Sequence, residues 1–177
     1  MMQTKRLTQL ALLTTVALTI FTIELRIPNP FPIPGVKLGL ANIITVYAVY
    51  HYRAREVLMV LLSRILPGAL FAGSMVSLMY SLAGGMLCLT GMLVLRRMIP
   101  EQSIWFSSVI GAVLHNAGQI AVAVLVTGTP GIIAYFPILL VSGCLAGAFT
   151  GLCAQAAIRG LRRIPAHPSY SSQSPIR

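Results

Sequence analysis

The sequence predicts an all-helical, multi-spanning membrane protein of six transmembrane helices, with both termini on the cytoplasmic side. Three observations carry this reading. Hydrophobic residues make up 56% of the 177 residues and charged residues only 9%, which excludes an ordinary soluble domain. Six apolar stretches fill almost the whole chain. The arginines and lysines between them fall on alternate turns.

The stretches run over 7–23, 38–52, 57–71, 75–95, 104–126 and 132–158. A spanning helix needs roughly 20 apolar residues, and the last three reach that length. The first has a basic start but no small-x-small cleavage site. With further spans behind it, it reads as an uncleaved first helix. The second and third are short, and the charge pattern supports them. Lys5, Arg6, Arg53, Arg55, Arg96, Arg97, Arg159, Arg162, Arg163 and Arg177 all fall on one side if every stretch crosses. The other side receives Arg26 and Lys37, and Arg64 is left inside the third span. Cytoplasmic loops carry the Lys/Arg excess, which places the chain in an inner membrane with its ends inside.

The domain expectation is a membrane domain over 1–163 and a disordered cytoplasmic tail over 164–177. The tail holds Pro165, Pro168 and Pro175 and too little apolar surface to order itself. The net charge of +10 sits at helix ends rather than on one stripe. It therefore speaks for orientation and anionic headgroups, not for nucleic acid. Cys88, Cys144 and Cys153 have no metal spacing and read as small apolar packers.

Between the first and second stretches lies the longest non-cytoplasmic segment, Glu24 to Lys37. It has prolines at 28, 30, 32 and 34. Proline fixes φ and removes a donor, so the segment is stiff and extended. It is either a helix breaker or a lid over an outward-facing pocket.

Several absences exclude chemistry. There is no aspartate, and the acids are Glu24, Glu56 and Glu101, all at helix ends. No carboxylate pair lies at membrane depth for an ion relay. There is no Gly-x4-Gly-Lys phosphate loop for ATP hydrolysis. No Asp-rich magnesium site exists, no other metal site is visible and no cofactor is implied. The chain is expected not to be an enzyme.

What remains is a set of polar residues inside apolar helices. Arg64 is either a ligand group or an arginine that snorkels to the headgroups. His115, Asn116 and Gln119 form a polar stripe at mid-depth in the fifth stretch, with His115 and Gln119 about 40° apart on the helical wheel. Such a stripe either binds a ligand or hydrogen-bonds between helices. Asn42 lies one turn into the second stretch with Lys37 above it. The substrate-binding expectation is therefore Lys37, Asn42, Arg64, His115, Asn116 and Gln119, a donor-rich set suited to an anionic or strongly hydrogen-bonding small solute. Small residues recur at four-residue spacing at Gly143, Gly147 and Gly151, and at Ala11 and Thr15. They offer either internal packing seams or a docking face for a partner subunit. Gly84 and Gly85 in the fourth stretch offer room for a ligand or a kink.

Pro34–Asn42, Pro-Gly-Val-Lys-Leu-Gly-Leu-Ala-Asn, and Gly111–Gln119, Gly-Ala-Val-Leu-His-Asn-Ala-Gly-Gln, resemble two segments of the Gx transporter family. That family is also labelled heptaprenyl diphosphate synthase component I. It is similar in size and layout to the substrate-binding S components of energy-coupling-factor transporters. The resemblance covers roughly 7–160. It implies a substrate-capturing membrane subunit, energised by a transmembrane coupling subunit and separate ATPase subunits. It further implies a first loop acting as a lid and a docking signature on the first helix. The nearest match to that signature is Ala11-x-x-x-Thr15, with threonine in place of a second alanine. The alternative that the label implies is a non-catalytic accessory subunit of isoprenoid or quinone metabolism.

Overall fold

The computed structural model describes residues 4–24, 26–27, 40–73 and 75–163. Lys37, the prolines at 28–34 and the tail at 164–177 lie outside the described residues, and so do the lid and disordered-tail expectations that fall on them. Every described element is helical: α1 (Thr4–Glu24), α2 (Asn42–His51), α3 (Ala54–Ala72), α4 (Met75–Leu95), α5 (Ile104–Thr127) and α6 (Phe136–Arg163). Short 3-10 turns at Glu101–Ser103 and Pro130–Tyr135 lead into α5 and α6.

Four of these segments are long and apolar enough to cross a membrane: Thr4–Glu24, Met75–Leu95, Glu101–Thr127 and Pro130–Gly160. The third helix has 19 residues, but Arg55, Glu56 and Arg64 lower its apolarity. The second differs most from the sequence reading. It has only 10 residues, and at 1.5 Å per residue it covers about half of a hydrocarbon core roughly 30 Å thick. It opens at Asn42, level with the middle of α3.

The centre of the bundle is the α4–α5–α6 group. Gly118 sits on the backbone of Ala83 and Gly84, where an added Cβ would come within 2.9 Å. Gly143, Gly147 and Gly151 all face α5: their added Cβ atoms would meet Asn116 Nδ2 at 2.5 Å, Val109 Cα at 2.7 Å and Trp105 Cα at 2.5 Å. The small-residue face on α6 is thus an internal seam in which backbones approach closely, not a free docking face. On the opposite side of α6, Ile138, Val141, Leu145, Phe149 and Leu152 are exposed. Such an apolar stripe is expected of a lipid-facing surface. The turns after α3 and α5 close on Gly73 and Gly128, at φ 61° and 64°, the left-handed conformation that only glycine adopts without strain. Gly84 and Gly85 do not interrupt α4, which is continuous.

Helix α1 leans on α3. Gly68, directly after Pro67, leaves space for the Phe21 ring, which an added Cβ would approach to 2.7 Å. The other face of α1, with Ala11, Thr15 and Thr19, stays exposed. Its threonine hydroxyls donate back to the carbonyls four residues earlier, Thr15 to Ala11 at 3.0 Å and Thr19 to Thr15 at 2.9 Å. The exposed face therefore carries no unmet hydroxyl donor and suits an apolar surrounding.

The basic ends of the helices meet on one side and are tied together there. Arg6 Nε and Nη2 donate to both carboxylate oxygens of Glu56 at 2.6 and 2.7 Å. The Arg53 backbone N–H donates to the same carboxylate at 2.8 Å and completes the N-terminal cap of α3. Arg96 Nη1 donates to the carbonyls of Val49 and Tyr52, at 3.0 and 3.3 Å, across the C-terminus of α2. Gln155 Nε2 donates to the Gln102 carbonyl at 2.8 Å and joins α6 to the start of α5.

Candidate functional site

The polar residues inside the bundle gather in its middle and in the half away from the basic end. Arg64 is 5% exposed, so it does not snorkel. It points toward the N-terminus of α2, where its Nη2 donates to Asn42 Oδ1 at 3.2 Å. Glu24, the last residue of α1, is also buried and its charge acts on Arg64. Arg64, Glu24, Phe21, Ile65, Ser81, His115 and Gln119 line one cavity of about 10 Å³. A second of the same volume is lined by Asn42, Val46, Cys88, Ser108, Ala112, His115, Ala146, Gly147 and Thr150. His115 is the wall shared by both. Each cavity is about the size of one water molecule.

Helix geometry explains the gathering. His115 and Gln119 are one turn apart on α5 and face the α1–α3 side, while Gly84 on α4 lets His115 approach. A Cβ at Gly84 would come within 2.8 Å of His115 Nδ1. Asn42 opens α2, and Glu24 closes α1. The two ends of the connection between these helices therefore both lie at Arg64.

Two of these groups retain hydrogen-bonding capacity. Gln119 is 1% exposed, and its Oε1 accepts no hydrogen bond among the described residues. Arg64 Nε likewise has no acceptor among the described residues. Buried polar groups are ordinarily satisfied, because leaving one unpaired costs about 1–3 kcal/mol. Arg64 Nε and Gln119 Oε1 stand on the walls of the same cavity, where one solute could meet both.

Of the six residues expected from sequence, Asn42, Arg64, His115 and Gln119 come together. Asn116 turns the other way: its Nδ2 donates to the Leu139 carbonyl at 2.6 Å and holds α6 to α5. That is the helix-to-helix role of the polar stripe. Ser108 and Thr150 share a second interhelical bond at 3.0 Å. Lys37 lies outside the described residues. Glu24 and Ser81 were missed by sequence reasoning. A signal for Glu24 was present: an arginine at membrane depth calls for a counter-charge, and Glu24 is the one acid of three that does not belong to the basic turns. Among the described residues no three His, Cys, Asp or Glu side chains could share a metal ion.

A different kind of opening lies between α1, α2 and α6. It is a mostly apolar cleft of about 410 Å³, lined by Gln9, Leu12, Leu13, Ile43, Ile44, Tyr47, Tyr52, Ala154 and Ala157. At its basic end the Arg6 guanidinium lies 5.5 Å from the centre of the Tyr52 ring.

A family model described as heptaprenyl diphosphate synthase component I matches residues 13–157. The chain belongs to that family. The match begins midway along α1 and takes in the polar cluster and the seam between α5 and α6. No curated protein and no solved structure matches the chain.

Proposed function

We propose that this member of the heptaprenyl diphosphate synthase component I family is a non-catalytic membrane subunit that captures a small polar solute, its transport being energised by separate subunits. The observation that carries the reading is Arg64, fully inside the bundle, hydrogen-bonded to Asn42 and facing a cavity shared with His115 and Gln119. A charge at membrane depth is costly, and such residues generally mark solute or ion paths. A subunit that served only as a scaffold has little use for it.

In this reading the chain crosses the membrane six times in an inner membrane, with both ends cytoplasmic. Support comes from the gathering of Arg6, Arg53 and Arg96 on one side. Reporter fusions after Lys37 and Gly128 are expected to report the outer side, and fusions after Arg55, Arg97 and Arg163 the cytoplasm. A cytoplasmic signal after Lys37 overturns the six-span topology. The exposed face of α1 at Ala11 and Thr15 is the surface proposed for a coupling subunit.

Native mass spectrometry of the purified chain tests solute capture. A co-purifying small molecule is expected on the wild type and about tenfold less on His115→Ala, with the variant still monodisperse. A clean wild-type spectrum, or equal loading of the variant, counts against the reading.

A second reading follows from the family's name and the apolar cleft along α1, α2 and α6. There the chain would hold the hydrocarbon tail of a prenyl diphosphate for a separate catalytic subunit, with its head near Arg6. The chain would not condense prenyl diphosphates itself, since it has no aspartate to hold magnesium. Turnover of prenyl diphosphates or ATP by the purified chain alone would refute the non-catalytic assignment.

A further inference from the structure

We infer that the buried site selects a solute of net charge zero that presents a hydrogen-bond acceptor and a donor side by side. This rests on the solute-capture reading, and it narrows the anionic or polar solute expected from sequence to one class.

The argument begins with charge. Each helix packed around Arg64 contributes to the site. Glu24 comes from α1, Asn42 from α2, Ser81 from α4, and His115 and Gln119 from α5. Among these described groups there is one fixed cation and one fixed anion. Glu24 is 6% exposed, and it stands on the wall of the cavity that Arg64 lines. The sequence made the site look donor-rich because Glu24 seemed to be a helix end. With Glu24 inside, the guanidinium already has its counter-charge. A solute anion entering here would leave one negative charge uncompensated in a medium that screens poorly, and a solute cation would leave one positive charge. A neutral or zwitterionic solute leaves the balance unchanged.

The unused hydrogen-bonding capacity then states the pattern. Arg64 Nε–H is a donor without an acceptor, and Gln119 Oε1 is an acceptor without a donor, among the described residues. Both side chains are more than nine-tenths buried and line the same cavity. The complement is a group carrying an acceptor beside a donor: a primary carboxamide, a lactam edge, or the carboxylate and ammonium of an amino acid. A simple carboxylate supplies acceptors only and would leave Gln119 Oε1 unsatisfied. The cavity has room for about one water, so the solute enters only as the walls part. The donor and acceptor pattern is fixed by side chains on α3 and α5, whatever moves.

The test uses the full chain in detergent at pH 8. Thermal unfolding is followed with two matched pairs of probes: nicotinamide against nicotinate, and leucine against N-acetylleucine. The first member of each pair is neutral or zwitterionic with a donor, and the second is an anion without the charge balance. On the wild type, at least one first member is expected to raise the melting temperature, and its anionic partner is not. Glu24→Gln removes the internal counter-charge and is expected to move the preference toward the anion by about tenfold. Anions that stabilise the wild type as well as their neutral partners would overturn the inference but leave solute capture standing. So would an unchanged preference in Glu24→Gln. If Glu24→Gln does not fold, the matched pairs on the wild type decide. Silence from all four probes on a folded wild type and a folded Glu24→Gln refutes the capture reading, and this inference with it.

Discussion

Helix α2 is held at its two ends by two arginines that work in opposite ways. At its C-terminus Arg96, half-buried, gives its hydrogen bonds to the Val49 and Tyr52 carbonyls, which the end of the helix leaves without intrahelical donors. The acceptors need a donor, the helix dipole favours a cation, and the account closes. At the N-terminus Arg64, fully buried, reaches the Asn42 side chain and leaves its Nε without an acceptor among the described residues. The same residue type therefore has a structural task at one end and capacity to spare at the other. At the basic end, side-chain bonds join α1 to α3, α4 to α2 and α6 to the start of α5, and Gln155 there keeps its Oε1 without a donor among the described residues. The polar middle keeps a donor and an acceptor in reserve.

The largest expected effect comes from breaking the buried end. Arg64→Leu strands Glu24 without its counter-charge, and loss of one partner of a buried pair costs about 3–5 kcal/mol. Adding Glu24→Gln to Arg64→Leu is expected to recover most of that stability, measured by thermal unfolding in detergent, because two neutral side chains need no compensation. If the double variant is no better than Arg64→Leu alone, Glu24 is not the partner of Arg64.

Next is Gly151→Leu, which forces a side chain toward the α5 backbone at Trp105. Overpacking of this kind costs about 1–3 kcal/mol. It is expected to disturb assembly on size exclusion while leaving solute affinity per folded molecule unchanged, since the residue lies in the seam and not on either polar cavity.

Arg96→Gln is expected to cost about 1.5–3 kcal/mol or less, the range for a charge-assisted hydrogen bond, with no change in the affinity of any solute. A fall in affinity with stability intact would erase the distinction between the two arginines. The smallest effect is expected for Arg6→Gln. Its bond to Glu56 is short but open to water, where ion pairs are screened. Its melting temperature is expected to fall less than that of Arg96→Gln.

Much of the fold was legible in the sequence, for a reason specific to lipid. A segment that crosses hydrocarbon must satisfy its own backbone, so helix and apolar stretch coincide. The fourth stretch and α4 share both boundaries, and the fifth differs from α5 by one residue. The second stretch failed this equivalence because apolar content shows that residues can enter lipid, not that they are helical throughout. Within the site, position along a helix was legible and rotation was not. His115, Asn116 and Gln119 looked like one stripe, yet Asn116 lies far enough around α5 to meet α6 while the other two line the cavity that Arg64 shares. Arg64 was left between snorkelling and binding for the same reason, since its depth was known and its direction was not. Gly143, Gly147 and Gly151 announced a close helix contact, but sequence spacing does not say whether the partner lies inside or outside the chain.

The central claim is that the reserve of hydrogen bonding at Arg64 and Gln119 exists to hold a solute. Equilibrium binding of the co-purifying compound, measured side by side on Gln119→Leu and Arg96→Gln, tests it most directly. The account predicts that Gln119→Leu binds about tenfold more weakly at unchanged melting temperature, while Arg96→Gln binds like the wild type at a lower one. Wild-type affinity in Gln119→Leu, with the loss appearing in stability instead, would contradict it and make the polar middle another set of bonds between helices.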